Sequence, residues 1–218
     1  MLVQQKQNIK GISLVEMLVV LTIIGAIAGV GFPNFSKWQV DRQVRSDSEK
    51  IAAVFTSATS QVERGVYPYV RVLIENGVKI SAHGIKQEEF SNKLNNGDDM
   101  DCGSGIFSSA DEIISYDLED IILFHLTDGG GNGAICFSKG GKYFKRTDKA
   151  ASQLNIILDN RDTPNFVTIC YKKEKSCDAL GASFDKDDKQ PVYLVYYSRF
   201  GMIQKFKWNY STDEWRSR

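Results

Sequence analysis

The sequence has little with which to bind metal or do catalysis. Its 218 residues hold two histidines, His83 and His125, and four cysteines, none in a C-x-x-C pair, so a zinc site lacks its usual spacing. No nucleophile, base and oxyanion donor stand together in any recognisable order, and neither an enzyme nor a cofactor is expected. The glycine cluster at residues 129–133 lacks the Gly-Lys-Ser/Thr ending of a phosphate loop and reads as a turn. Asp185, Asp187 and Asp188 lack the spacing, glycine and distal glutamate of a calcium loop and read as solvated. Net charge is missing as well: 27 basic residues balance 27 acidic ones, so no general affinity for polyanions follows.

What the sequence does have is one long apolar run. Residues 12–32 carry a single formal charge, Glu16, and as a helix they would reach roughly 31 Å, about one hydrocarbon core. A membrane-spanning segment is the expectation. A carboxylate inside such a span costs about 2.5 to 3.5 kcal/mol at the helix centre and less toward the interface, so Glu16 calls for a cationic partner.

The eleven residues before the run contain Lys6 and Lys10 and no acid, like the basic start of an export signal. Ala26-Ile27-Ala28 offers a small-x-small cleavage site, and a chain cut there would be released as a secreted binding protein. Cleavage between Gly11 and Ile12 instead keeps the whole run and creates an α-amine four residues from Glu16. That amine is the missing cation.

Gly11-Ile12-Ser13-Leu14-Val15-Glu16, the basic leader, the uninterrupted apolar run and Pro33 together resemble the class III signal of type IV pilins and type II secretion pseudopilins. The resemblance covers about the first fifth of the chain. It implies that a prepilin peptidase cuts after Gly11 and methylates the amine of Ile12. It also implies that Glu16 docks each subunit against a neighbour in a filament built with other pilin subunits on a pilus assembly platform. Ile12 departs from the phenylalanine commonest at that place.

Gly25 and Gly29 give a G-x-x-x-G spacing that lets apolar helices approach closely, with Gly31 and Pro33 expected to weaken the helix locally. Beyond Pro33 the helical period persists in polar surroundings. Val44, Ile51, Phe55, Ala58 and Val62 share one stripe, with Asp41, Arg42, Arg45, Glu49, Lys50 and Arg64 on other faces, and Gly65 and Pro68 close the helix. The expected organisation is a leader at residues 1–11 and an interrupted helix at 12–64, membrane-spanning over 12–32 and amphipathic over 33–64. A β-rich domain outside the membrane follows at 65–218.

Residues 65–218 are numerous enough for one core, and their pattern is strand and turn. "VYPYVRVLI" and "VKISAH" flank Glu75-Asn76-Gly77, a hairpin signal. "AICFSKGGKYFKR" folds back on Gly140-Gly141, "NFVTICYKKEKSC" adds a strand, and "VYLVYYSRFGMIQKFKW" turns near Gly201. "IKQEEFSNKL" reads as a short helix and "NNGDDMDCGSG" as a loop. Tyr193, Tyr196, Tyr197, Phe200, Phe206, Trp208, Tyr210 and Trp215 read as sheet packing. The fold class is therefore α+β: a long N-terminal helix packed on an antiparallel sheet. This order, and "AAVFTSATSQVERGVYPYVRVLI" in particular, is similar to the GspH/FimT branch of minor pilins and pseudopilins. The similarity implies a low-abundance subunit that primes assembly near a filament tip.

All four cysteines follow the helix, on the side where disulfides persist. Cys170 and Cys177 bracket a polar turn that a bridge would staple, leaving Cys102 with Cys136; three connectivities remain open. The chain ends in "EWRSR". Some minor pilins of the branch just named bind DNA through arginines near the carboxyl terminus, and Arg216 and Arg218 look like such a pair, with Trp215 to stack on a base. Charges flanking the run do not settle orientation, since Lys37, Arg42 and Arg45 follow it as closely as Lys6 and Lys10 precede it. The processing logic alone puts the leader in the cytoplasm and the β-rich domain in the periplasm.

Overall fold

The first helix, α1 (Leu14–Glu63), continues across Pro33 without a break. The sequence suggests an interruption there, but a proline removes one N–H donor, and a helix propagating on both sides absorbs that loss. The computed structural model describes residues 13–75, 78–98, 100, 102, 105–118, 122–125, 133–143, 145–146, 166–171, 191–212 and 214–217, with the side chains of 30–34, 122–125 and 145–146 left aside. The chain divides into two compact units, one ending at Gln39 and one beginning at Val40.

In the first unit, α1 is bare. Leu14, Val15, Met17, Leu18, Leu21, Ile23, Ile24 and Ile27 are all exposed, and none belongs to a core cluster.

In the second unit, α1 ends where the sequence says it should. Gly65 adopts φ 73°, Val66 N–H donates to the Gln61 carbonyl at 3.1 Å and Gly65 N–H to the Val62 carbonyl at 3.0 Å. That is the paired closure a left-handed residue provides, and glycine adopts it without a Cβ penalty. The strands follow as β1 (Tyr69–Glu75), β2 (Lys79–Ile85), β3 (Asp111–Asp117), β4 (Ile122–His125), β5 (Gly133–Ser138), β6 (Lys145–Arg146), β7 (Phe166–Tyr171), β8 (Val192–Tyr197), β9 (Ile203–Asn209) and β10 (Glu214–Ser217), with a second helix, α2 (Gln87–Asn95), after β2. Among the described residues they form two five-stranded sheets, ordered β3-β2-β1-β5-β6 and β10-β9-β8-β7-β4, and every strand pair is antiparallel. The α+β class is thus correct, with two sheets where one was expected.

The expected helical stripe is the core: Val44, Ile51, Phe55, Ala58 and Val62 are all buried. They meet Val70, Val72 and Ile74 of β1, Ile135 and Phe137 of β5, Val167 and Ile169 of β7, and Tyr193, Val195 and Tyr197 of β8. Strand alternation sends Tyr69 and Arg71 of β1 to the opposite face, where Phe90 of α2 and Met100, Cys102, Ile106 and Phe107 cover them. Buried on both faces, β1 and β5 carry apolar residues on both, interrupted in β1 by the buried Arg71. On β2, a Cβ at Gly84 would collide with the ring of Tyr67, so the close approach of that ring needs glycine.

Cys102 and Cys136 are joined, with Cα atoms 5.7 Å apart across a sequence separation of 34, pinning the segment after α2 onto β5. Cys170 is also disulfide-bonded, and Cys177 lies outside the described residues. Non-reducing peptide mapping is expected to recover two linked pairs, Cys102 with Cys136 and Cys170 with Cys177. Replacing Cys102 and Cys136 together by serine is expected to lower stability by about 3 to 4 kcal/mol, the loop-closure effect for a bridge of that length. Recovery of Cys102 on a peptide with Cys170 or Cys177 would refute the pairing.

Candidate functional site

Of the amino-terminal residues that the sequence singles out, Glu16 lies at the start of α1. Gly11 and Ile12 are outside the described residues; the helix is under way by Leu14, and Met17 N–H donates to the Ser13 carbonyl at 3.2 Å. Glu16 occupies the first turn and is exposed, flanked by Leu14, Val15, Met17 and Leu18, each more than half exposed. A carboxylate there is favoured by the positive end of the helix. With neighbours that are all aliphatic or thioether, it is also the one anionic group on that turn. The arrangement can hold a cation brought to it from outside the helix.

Gly25 and Gly29 have nothing within 4 Å of an added Cβ. Among the described residues, packing within the chain therefore does not account for either glycine, and small residues at this spacing suit the close approach of another helix. Pro33 lies within α1, its side chain outside description. Among the described residues no helix is long and apolar enough to cross a membrane. The apolar run of the sequence extends past the described side chains at both ends, at residue 12 and at residues 30–32.

The carboxyl-terminal residues are not a loose end. Trp215 and Arg216 belong to β10, opposite Trp208 and Lys207 of β9. Trp215 packs edge-on against Trp208 with ring centroids 5.3 Å apart. Arg216 is exposed, and Arg218 lies outside the described residues. This placement gives DNA binding no support, because the indole proposed to stack on a base is already packed against a neighbouring strand.

Two polar groupings escape the sequence reading. Asp41 of α1 accepts from Lys207 Nζ and, at 3.2 Å, from the Tyr193 hydroxyl, tying the helix to β9 and β8. Residues 166 apart leave no local signal of such a tie. The second grouping is a row across the first sheet. Arg71 lies opposite both His83 and Cys136, and His83 lies opposite Glu112. Arg71 is buried, its guanidinium carbon is 4.6 Å from the Phe107 ring centroid, and its Nε has no hydrogen-bond partner among the described residues. Burial holds the Arg71 pKa below the ordinary arginine value, with Glu75 opposing. Burial, then Arg71, likewise lowers that of His83, against Glu112 and Glu75. His83 meets Ser81 Oγ at 3.0 Å. Arg71 and Cys136 are packed beneath the segment carrying Cys102 and Phe107, His83 is half-buried and Glu112 is exposed, and no group of three or more potential metal ligands occurs among the described residues. A third feature, Phe35 and Trp38 just past the apolar run, was legible as aromatic residues at i and i+3 but was not singled out.

Comparison with curated proteins and with solved structures gave no match. Residues 6–32 match the family described as the prokaryotic N-terminal methylation motif. That span takes in Lys6, Lys10, Gly11, Ile12, Glu16, Gly25 and Gly29, so the chain carries the prepilin-type N-terminal methylation motif of the type IV pilin and pseudopilin family.

Proposed function

We propose that the protein is a minor pilin or pseudopilin, a structural rather than enzymatic subunit of a type IV pilus or type II secretion pseudopilus. In this reading residues 1–11 are removed by a prepilin peptidase after Gly11, and the amine of Ile12 is methylated. Residues 12–32 anchor the subunit in the inner membrane, with the β-rich domain in the periplasm, until the assembly platform draws it into a filament. Its order of elements, like that of the GspH/FimT branch, favours a priming or tip subunit over the bulk fibre subunit. The observation that carries the reading is the motif matched over residues 6–32, together with the apolar side chains of α1 from Leu14 to Ile27, which enter no core cluster among the described residues.

Chemistry gives each residue a part. Gly11 lets a protease approach an extended backbone without a side chain in the way. Glu16 offers a carboxylate to a neighbour's amine, and its burial as subunits stack makes a misregistered, unpaired stack costly. Gly25 and Gly29 allow helices to close on one another.

Amino-terminal mass spectrometry of the mature chain tests the reading: Ile12, methylated, is expected as the first residue. Gly11→Leu is expected to leave an uncut precursor in a strain with its own prepilin peptidase. A mature chain beginning at Gly29 would instead mark a secreted protein released after Ala28, and mature protein of normal size from the Gly11→Leu gene would place the cut elsewhere.

A further inference from the structure

Two aromatic rings stand on α1 just beyond the apolar run, and neither belongs to a core. Phe35 is 58% and Trp38 54% exposed, with ring centroids 5.7 Å apart and planes tilted by 36°. Three residues apart, they share a face of the helix. At 1.5 Å per residue, Phe35 stands about 4.5 Å and Trp38 about 9 Å beyond Phe32, the last residue of the run. The headgroup layer on each side of a bilayer's hydrocarbon core is about 5 to 8 Å deep, so the Phe35 backbone falls within it and the Trp38 backbone at its outer edge, with a helical side chain at Trp38 directed back toward the amino terminus and so into the layer. Lys37 sits between the two rings in the sequence.

We infer that Phe35 and Trp38, with Lys37, form an interfacial anchor that seats the outer end of the helix in the phospholipid headgroup layer. The inference rests on the membrane-anchored reading proposed above. An indole is suited to this layer because its ring is amphipathic, and tryptophan is enriched where the acyl chains meet the headgroups. The lysine ammonium reaches lipid phosphate while its methylenes lie along the acyl boundary. A second copy of the chain fits the surface less well. Packing another helix over residues 35–38 would take the Lys37 charge out of water without a fixed anionic partner. The anchor fixes how far the span can slide along the membrane normal, and so the depth at which Glu16 waits in the opposite leaflet.

The test uses the full mature protein in vesicles of phosphatidylcholine and phosphatidylglycerol, with bromine placed on the acyl chains either near the headgroup or near the bilayer centre. Trp208 and Trp215 pack against each other, so the difference between wild type and Trp38→Phe isolates the emission of Trp38. That emission is expected to be quenched by the shallow bromine and much less by the deep one, with the lipid-dependent quenching lost in Trp38→Phe while both proteins float equally with the vesicles. Flotation without quenching at either depth would overturn the anchor, and so would stronger quenching by the deep bromine. A Trp38 signal that shields from bromine only at high protein-to-lipid ratio would assign the rings to a second copy. Failure of the wild type to float would overturn the membrane reading itself.

Discussion

The variant Glu16→Ala is expected to reach the membrane, lose its leader after Gly11 and fold normally, yet to be absent from sheared filaments. Removing a charge from an apolar span makes insertion easier, by about 2.5 to 3.5 kcal/mol at the helix centre and less near its end. Folding of the second unit is indifferent, because no core cluster includes a residue before Val40 except by way of the helix itself. What the variant loses is a carboxylate in the first turn with no cation among its immediate neighbours along the chain. A partner amine from an adjacent subunit restores neutrality only when the stagger is right, so the pair specifies register more than it adds stability. Fractionation into membranes and sheared filaments reads the contrast: wild type in both, Glu16→Ala confined to the first. Glu16→Asp keeps the charge on a shorter arm and is expected to fall between them. An alanine variant found in filaments at the wild-type level would show that another group sets the register.

The placement of Glu16 was legible because it conflicts with its surroundings, and a lone carboxylate in an apolar run demands a partner whatever the fold. The helix end at Gly65, the hairpin pairing of β1 with β2 and the turns at Gly140-Gly141 and Gly201 were legible for a related reason, since each is set by a backbone preference local to a few residues, although Asn76 and Gly77 themselves lie outside the described residues. Strands β3 and β4 were not, and of β10 only Trp215 was read as sheet packing. β3 is acidic at both ends and partly exposed along its length, an edge strand whose pattern is close to that of a loop. β10 is four residues at a chain end, and only its pairing with β9 makes it a strand. The division into two sheets left no trace either, because it depends on partners far apart in sequence, β1 with β5 and β4 with β7. Of the proposed site, the conflict at Glu16 could be read from charge and apolar length, while Gly11 and Ile12 lie outside the described residues. The Asp41 tie to Lys207 and the burial of Arg71 emerge only once the strands are paired.

The largest loss of stability is expected at Phe55. Its side chain is fully buried and lies where three elements meet. The ring stacks on Tyr197 of β8 with centroids 4.6 Å apart and planes 10° from parallel, and it meets Phe137 of β5 edge-on at 6.0 Å. Phe137 and Tyr197 in turn meet edge-on at 6.2 Å, so the three rings close a triangle between α1, the first sheet and the second. Truncating a buried phenylalanine removes its transfer free energy and leaves a cavity, together about 3 to 5 kcal/mol. Each lost ring pair adds about 0.5 to 1.5 kcal/mol beyond area burial, part of which that range already contains. Against a typical total stability of about 5 to 15 kcal/mol, Phe55→Ala is expected to bring the domain close to unfolding. Phe55→Leu keeps most of the volume but no ring, and is expected to lose about 1 to 2 kcal/mol. Phe200→Ala, at a side chain 63% exposed, is expected to change stability by less than about 0.5 kcal/mol. Urea unfolding of the detergent-solubilised proteins, followed by tryptophan emission, reads all three as shifts in midpoint at constant slope. The order Phe55→Ala, Phe55→Leu, Phe200→Ala follows from the triangle. Midpoints for the two Phe55 variants no lower than that of Phe200→Ala would mean that the helix is held to its sheets elsewhere, with the Asp41 tie to Lys207 and Tyr193 the next place to look.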